Sequence, residues 1–256
     1  MVKVLDKNTT KCGHCNHLLG FDDSDLVSAI KCPECNQLIA VDRPLPTQKD
    51  FGELSWKEII SEFKAKGKNA FHTGASKEIT LKNSEKYLVQ IAHKGKGVII
   101  GFRDLYGNDD KGGMPISNDS SFSDDYSKCS LRKWLNSDFF DLLPDDLKEI
   151  IIPSKIKVGK KTIEDKVFIP SEYEIFGKKE NGEAEEGEQF DLFKDWHNRI
   201  AGYSDGQYGR WYWLRTKAKT AGARCFCRVH DVGGAGCSGA GVTYGVRPFF
   251  TIFEIE

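Results

Sequence analysis

Two Cys-x-x-Cys pairs near the N-terminus constrain the folding of this chain more than any other feature of its sequence. Cys12 and Cys15 form the first pair, and Cys32 and Cys35 form the second after a spacer of 16 residues. Each pair forms a tight turn that aims two thiolates at one point. Two such turns supply the four sulfurs of a closed, tetrahedral Zn²⁺ site. The spacing therefore predicts a structural zinc site with these four cysteines as ligands.

Two histidines beside the first pair, His14 and His17, are alternative ligands. The symmetric spacing of the two cysteine pairs favours the four sulfurs over a mixed set. So short a segment cannot bury a core of its own, so metal binding must supply much of its folding free energy.

The 256 residues divide by composition into two unequal parts. Residues 1–42 are predicted to form a zinc ribbon, in which apolar residues 18–21 and 26–30 pair as a short hairpin and residues 38–41 supply a third strand. Residues 43–50 contain two prolines and few apolar side chains, which is typical of a semi-rigid linker. Residues 51–256 are predicted to be a mixed α+β binding domain.

Composition narrows the function classes. The chain has 37 Lys and Arg against 38 Asp and Glu, so no overall charge favours nucleic acid or membrane as a partner. No run approaches the roughly 18 apolar residues that cross a bilayer, and the first residues lack a secretion signal. We expect synthesis in a bacterial cytoplasm, where Cys-x-x-Cys pairs indicate metal and not disulfides.

Local signals place helices and strands in the larger part. Ser55 and Glu58 form a capping box before an apolar helical stripe, and Ser171 and Glu174 form a second one that Gly177 ends. Further predicted elements are a hairpin of strands 87–92 and 97–102, a helix over 129–140, a short helix after Pro144, a strand at 167–169 and a helix over 191–200 with Trp196 and Ile200 facing inward. Residues 106–128 and 178–188 are predicted to be surface loops.

The last sixty residues predict three strands, at 211–215, 223–229 and 244–253, with a flexible glycine-rich turn before the third. Alternation along the second strand places Cys225 and Cys227 on one face. Exposed aromatic rings beside arginines suit sugar stacking or protein docking, although core packing is the alternative for each ring. The predicted ligand-binding residues are Trp211, Trp213, Arg224, Phe226, Arg228 and His230.

Two arginines, Arg215 and Arg247, lie inside apolar strands. An unpaired buried charge is unfavourable. We therefore expect both to pair with carboxylates from the polar loops.

The C-terminal motifs carry a resemblance. Trp211-Tyr-Trp-Leu-Arg215, a strand pair split by a glycine-rich turn, and Tyr244-Gly-Val-Arg-Pro248 resemble an uncharacterised domain family of low-GC bacteria and their phages and prophages. Trp134-Leu-Asn136 and Glu174-Ile-Phe-Gly177 stand in the order of that family, so the resemblance spans about residues 50–256.

More distantly, the ending resembles the C-type-lectin-like fold of formylglycine-generating enzymes and of phage-diversified variable proteins. That resemblance implies a displayed surface near the C-terminus.

The sequence contains no H-E-x-x-H and no P-loop pattern, and its one match to G-x-S-x-G is Gly202-Tyr-Ser-Asp-Gly206. His230 beside Asp231 is a candidate acid–base pair, and Cys225 with Cys227 is a candidate redox pair. The alternatives are a surface histidine and two packed thiols. His72, His93 and His197 have no partner evident in the sequence.

These features favour a non-enzymatic binding protein, encoded by a phage or prophage and a candidate virion component, that recognises a protein or glycan partner through the C-terminal hairpin. One alternative is a cytoplasmic regulator that binds nucleic acid through the zinc ribbon. Another is a cysteine-dependent oxidase of the formylglycine-generating type. Oligomerisation is left open.

Overall fold

The computed structural model divides the chain into two compact units, Met1–Lys49 and Asp50–Glu256. It describes residues 2–6, 9–12, 15–20, 29–36, 38–42, 50–107, 113–118, 124–203, 209–219 and 224–255.

The N-terminal unit consists of two β-hairpins and an additional first strand that pairs with both of them. Its strands are β1 (Val2–Asp6), β2 (Thr9–Lys11), β3 (Leu18–Gly20), β4 (Ala29–Lys31) and β5 (Leu38–Asp42). The order in the sheet is β3-β2-β1-β5-β4, in which β1 is antiparallel to β2 and parallel to β5. The fifth strand confirms the one predicted at 38–41.

The predicted hairpin between residues 18–21 and 26–30 is wrong. β3 pairs with β2, and β4 pairs with β5, both antiparallel. The physical reason is that each Cys-x-x-Cys turn itself closes a hairpin, so the strands on either side of one cysteine pair are partners. The spacer between the two pairs connects the hairpins.

The larger unit mixes helices with mostly antiparallel sheets, which confirms the α+β class. Its helices are α1 (Trp56–Lys66), α2 (Ser130–Leu135), α3 (Asp138–Leu142), α4 (Asp145–Lys148) and α5 (Glu172–Phe176). Its strands are β6 (Ser76–Thr80), β7 (Lys86–Lys94), β8 (Gly97–Phe102), β9 (Ser154–Val158), β10 (Lys161–Asp165), β11 (Tyr212–Lys217), β12 (Cys225–Val229), β13 (Ala235–Gly239) and β14 (Phe249–Glu254). They form sheets of order β14-β8-β7-β6, β11-β12-β13 and β10-β9.

None of the helices in the described ranges has the length and apolar character needed to cross a membrane.

Both predicted capping boxes are present. The Ser55 hydroxyl accepts from the Glu58 amide, and the Glu58 carboxylate accepts from the Ser55 amide at 2.8 Å. The Ser171 and Glu174 pair does the same, and Gly177 ends that helix in the left-handed region at φ 69°. The β7–β8 hairpin is likewise confirmed.

Some predicted loops and helices differ from the structure. Residues 106–128 are not simply a surface loop, because Ile116 and Tyr126 are buried there. The predicted helix over 191–200 is two 3₁₀ turns, Asp191–Lys194 and Trp196–Arg199. Extended Asp195 separates them and caps the second through the His197 amide, which leaves Trp196 51% exposed.

The glycine-rich stretch is not a flexible turn throughout. Ala235–Gly239 forms β13, which pairs with β12 over five consecutive residues. The strand predicted at 167–169 is reduced to one bridge, between Phe168 and Phe249.

The acidic loop 178–188 is ordered around buried carboxylates, contrary to the prediction that it buries nothing. The carboxylate of Glu172 is fully buried and accepts the backbone amides of Glu180, Asn181 and Gly182 at 3.1, 2.8 and 2.7 Å. Glu186 is 2% exposed and accepts the Thr216 hydroxyl at 2.6 Å. The hydrogen bonds with these amides and this hydroxyl compensate for burial of the charges.

Arg215 joins three elements of the larger unit. Its guanidinium is fully buried and forms a bidentate pair with Glu174 at 2.7 and 2.5 Å. It also donates to the carbonyls of Lys157 and Ile169. The expected carboxylate partner is therefore correct in kind, but it comes from a helix and not from a polar loop.

Arg247 has no carboxylate partner among the described residues, which corrects the expectation for this side chain. It donates instead to three backbone carbonyls, those of Phe102, Arg103 and Asn198, at 2.8–2.9 Å. Three carbonyl acceptors satisfy the guanidinium without a second charge.

Replacing Glu174 by Gln removes the only carboxylate that is hydrogen-bonded to the buried Arg215 guanidinium in the described part of the chain. We expect Glu174→Gln to lower the free energy of unfolding by about 3–5 kcal/mol. The matched control is Glu180→Gln, which removes a carboxylate from the exposed pair with Lys178 and should change stability by less than about 1 kcal/mol. Urea denaturation followed by tryptophan fluorescence measures both, and equal effects of the two variants would contradict the assigned role of Arg215.

Candidate metal centre and ligand-binding surface

Four sulfurs converge in the N-terminal unit. The Sγ atoms of Cys12 and Cys35 lie 3.5 Å apart, and those of Cys15 and Cys32 lie 3.6 Å apart. All four lie within 4.8 Å of one another. A tetrahedral Zn²⁺ site with bonds of about 2.3 Å has sulfur–sulfur edges of about 3.8 Å. The cluster is therefore geometrically suited to one metal ion, as the spacing predicted.

Each cysteine pair is followed by an asparagine in the left-handed conformation. Asn16 has φ 60° and donates its amide to the Cys12 carbonyl at 2.9 Å. Asn36 has φ 61° and donates to the Cys32 carbonyl at 2.9 Å. Asparagine tolerates this region better than most residues. The repeated Cys-x-x-Cys-Asn pattern was the available sequence signal for these turns.

Of the alternative histidine ligands, His14 lies outside the described residues. His17 contributes its backbone carbonyl, which accepts the Cys12 amide at 2.9 Å. A backbone hydrogen bond with His17 lowers the pKa of Cys15, whereas desolvation and the other three cysteines raise it to about 12. Neighbouring thiols thus disfavour ionisation, and a bound cation reverses that preference.

We expect about one metal ion per chain and loss of that ion in Cys12→Ser and Cys32→Ser. The control is Cys237→Ser, which removes a thiol from the larger unit. Elemental analysis of the purified full-length chain, with chelator-induced unfolding of the N-terminal unit, measures the effect. Retention of the ion in both ligand variants would contradict the assignment.

The turn geometry can be tested separately. Asn16→Gly should retain the metal, whereas Asn16→Val should weaken binding, because a β-branched side chain disfavours φ 60° by about 1–2 kcal/mol. Competition with a chromogenic chelator compares the two affinities.

A second site lies in the larger unit, where the segment before β11 meets the turns on either side of β13. It is a cavity of about 380 Å³. Aromatic rings, charged groups and glycines line it: Tyr203, Trp211 and Tyr244; Arg210 and Asp231; Gly113, Gly209 and Gly245, with Thr243. We call this the Trp211 cavity.

Arg228 holds the aromatic wall of the Trp211 cavity in place. Its guanidinium carbon lies 3.7 Å from the centre of the Trp211 ring and 5.3 Å from that of Tyr244. Its Nε donates to the Ser238 hydroxyl at 2.8 Å, and that hydroxyl lies 3.0 Å from the Tyr244 hydroxyl. Arg228 is only 8% exposed, so the stack is a largely desolvated cation–π contact.

Close backbone packing shapes the same cavity. A Cβ atom at Gly209 would lie 2.0 Å from the carbonyl oxygen of Asp231. Because that neighbour is backbone and cannot rotate away, only glycine fits this position.

Only some of the residues predicted to bind a ligand lie at the Trp211 cavity. Trp211 is half-buried and lines the cavity, with Arg228 and His230 packed against its ring. Trp213 and Phe226 are buried at 0% and 1% exposure, so they pack in the core and face no ligand. The reason is that Phe226 lies on β12, the central strand of its sheet, and Trp213 lies on β11, which is buried over residues 212–216.

Arg224 is exposed but does not line the cavity. The prediction did not include Arg210, Asp231 and Tyr244, which the structure adds to the cavity. Tyr244 stands in the Tyr-Gly-Val-Arg-Pro motif, which was the sequence signal for it. Arg210 and Asp231 come together only through the tertiary fold.

One protein family, "Domain of unknown function (DUF6273)", matches residues 114–253, a range that contains every residue lining the cavity except Gly113 and all of the last four strands except Glu254. That range is more than half of the chain. The chain belongs to the DUF6273 family. No curated protein and no solved structure matches it.

The DUF6273 region also supplies two carboxylates around His93, a group of side chains that the sequence did not reveal. His93 Nδ1 lies 2.9 Å from the Asp191 carboxylate and Nε2 lies 3.0 Å from Glu188. Its ring stacks on Phe190 at 5.4 Å. Each ring nitrogen thus lies within hydrogen-bond distance of a carboxylate, and these contacts join β7 to the DUF6273 segment.

The cysteines of the DUF6273 region pack as thiols. Cys227 is fully buried, and burial followed by the nearby Glu172 carboxylate raises its pKa well above the usual value. Burial also raises the pKa of Cys225, and that of Cys129 to about 12. Low thiolate content argues against a nucleophilic or redox role for Cys227.

Thiol labelling tests this description of the DUF6273 cysteines. Half-exposed Cys237 should react with iodoacetamide in the native protein, while Cys129 and Cys227 should react only after denaturation. Peptide mass spectrometry reports each site. Rapid native labelling of Cys227 would revive the cysteine-dependent alternative.

Proposed function

We propose that the larger unit is a non-enzymatic binding module that recognises a protein or glycan partner at the Trp211 cavity. The observation that carries the proposal is the Arg228 stack, which fixes Trp211 and Tyr244 before any ligand arrives. A wall ordered in advance reduces the conformational entropy lost on binding.

The chemistry of the lining supports this proposal. Trp211 and Tyr244 offer apolar ring faces, Arg210 offers donors and Asp231 offers acceptors. Binding pockets combine apolar walls with a few polar groups that fix orientation. Outside the cavity, the buried thiol of Cys227 also fits a binding role better than catalysis.

We propose Zn²⁺ as the ion of the N-terminal unit, held by Cys12, Cys15, Cys32 and Cys35. Four thiolates in a closed tetrahedron favour Zn²⁺ and leave no coordination position for a substrate. The ion would therefore stabilise the fold of this unit. The described buried core there is only Cys12, Leu19 and Cys32, with Cys35 packed against it.

The resemblance to proteins of phages and prophages supports two further parts of the proposal, a C-type-lectin-like fold for the larger unit and a place in a virion. Mass spectrometry of purified particles tests the second part. Absence of the chain from particles would remove it without affecting the binding proposal.

Variants of the cavity test the binding role. The full-length protein is screened on a glycan array and against a displayed library of peptides about 15 residues long. Trp211→Ala should lower the affinity for any probe that binds by about tenfold or more, since truncating a central aromatic side chain costs about 1–2 kcal/mol or more of binding free energy.

The control for the cavity variants is Trp196→Ala, which removes an exposed tryptophan that does not line the cavity. Arg228→Met should weaken binding as well, because it removes the cation that positions Trp211. Probes that bind equally to the wild type and to both cavity variants would rule out this site.

A further inference from the structure

We propose that β13 is a docking edge, to which an extended segment of a partner polypeptide adds as a fourth strand of the β11-β12-β13 sheet. This inference rests on the proposed function and selects a protein over a glycan as the partner.

The hydrogen-bond register shows which backbone groups of β13 face outward. The His230 amide donates to the Gly234 carbonyl at 2.7 Å, and the Ala240 amide donates to the Arg224 carbonyl at 2.8 Å. These two bonds flank the β12–β13 ladder. In an antiparallel ladder, bonded and non-bonded pairs alternate.

Alternation from either flanking bond makes the same pairs hydrogen-bonded, namely Arg228 with Gly236 and Phe226 with Ser238. Those two residues of β13 bond to β12. Ala235, Cys237 and Gly239 therefore turn their N–H groups away from β12. Ala235 and Cys237 also turn their carbonyls outward, whereas the Gly239 carbonyl accepts the Val242 amide at 3.0 Å.

This edge lacks the usual protection. Within the described ranges, no strand pairs with the outer side of β13. All five of its residues, Ala-Gly-Cys-Ser-Gly, are half-exposed, and none is charged or proline. Natural sheet edges are usually blocked by lysine, proline, bulges or covering segments. An edge with small side chains instead allows another backbone to approach.

Aliphatic side chains stand exposed at both ends of the edge. Val232, in the turn before β13, is 70% exposed, and Val242, just after it, is 42% exposed. Ile200 lies against the first turn, where its Cγ1 would be 3.2 Å from a Cβ at Gly233. Aliphatic groups offer no hydrogen bonds to sugar hydroxyls, but they suit the apolar side chains of a peptide.

The edge and the Trp211 cavity belong to one sheet. Ser238 of β13 binds Arg228 and Tyr244, and Gly236 packs against Arg228 with 3.2 Å between its would-be Cβ and Cζ. A peptide paired along β13 thus docks on the strand that positions the aromatic wall. Main-chain bonds would give affinity, and the cavity would add side-chain specificity.

The probe is a peptide of about 15 residues selected from a display library on the full-length protein. Gly239→Pro removes one outward N–H and should lower the affinity of the peptide by about tenfold, whereas Gly239→Ala keeps that N–H and should change it by less than about twofold. A Cβ at Gly239 meets no atom within 4 Å, so the alanine control fits sterically. Hydrogen exchange should also show new protection of the Ala235 and Cys237 amides when the peptide is bound.

A second variant guards against misfolding of the proline variant. Val232→Asp combined with Val242→Asp changes only exposed side chains in turns and should weaken the same peptide by about tenfold or more. Unchanged affinity in this variant, or no protection of Ala235 and Cys237, would overturn the docking edge. A peptide that no longer binds to Trp211→Ala but binds Gly239→Pro normally would overturn the docking edge and support the cavity. Binding of glycans but of no peptide would have the same meaning. If no probe binds, both proposals fail.

Discussion

The larger unit depends on the buried ion pair between Arg215 and Glu174. The pair ties α5 to β11, and the remaining guanidinium donors reach carbonyls of Lys157 in β9 and Ile169. Breaking such a pair is far more destabilising than forming it is stabilising, because one partner alone leaves an uncompensated buried charge. The pair therefore fixes the mutual placement of these segments and disfavours other arrangements of them.

Buried carboxylates also hold the acidic loop 178–188 in place. Its amides surround the Glu172 carboxylate, and its own Glu186 reaches Thr216, the residue after Arg215. The loop packs beside β11, whose other neighbour is β12. The polar network therefore contacts β11, the strand that pairs with the Arg228-bearing strand β12.

Sequence patterns predicted the features that depend on neighbours along the chain. Both capping boxes, the β7–β8 hairpin and the four converging cysteines are local in this sense, because each follows from spacing within a few residues or from a metal that joins two short turns. The burial of Glu186, the carboxylates around His93 and the proximity of Arg210 to Asp231 are not local. They join residues far apart in the chain, and polar composition alone made the acidic loop resemble a solvated segment.

The two units also differ in how much apolar burial contributes to their folding. In the N-terminal unit the described buried cluster is three residues, so convergence of four sulfurs on an ion must do what apolar burial does elsewhere. In the larger unit an extensive apolar core is available, and its polar groups serve to specify geometry. The extensive core of the larger unit explains why strand alternation wrongly predicted that Phe226 is displayed to a ligand. A central strand in a well-packed sheet is buried on both faces, so period-two patterns cannot tell a displayed face from a covered one. Position in the sheet does not decide burial either, because the edge strand β11 is buried over residues 212–216 whereas every residue of the edge strand β13 is half-exposed.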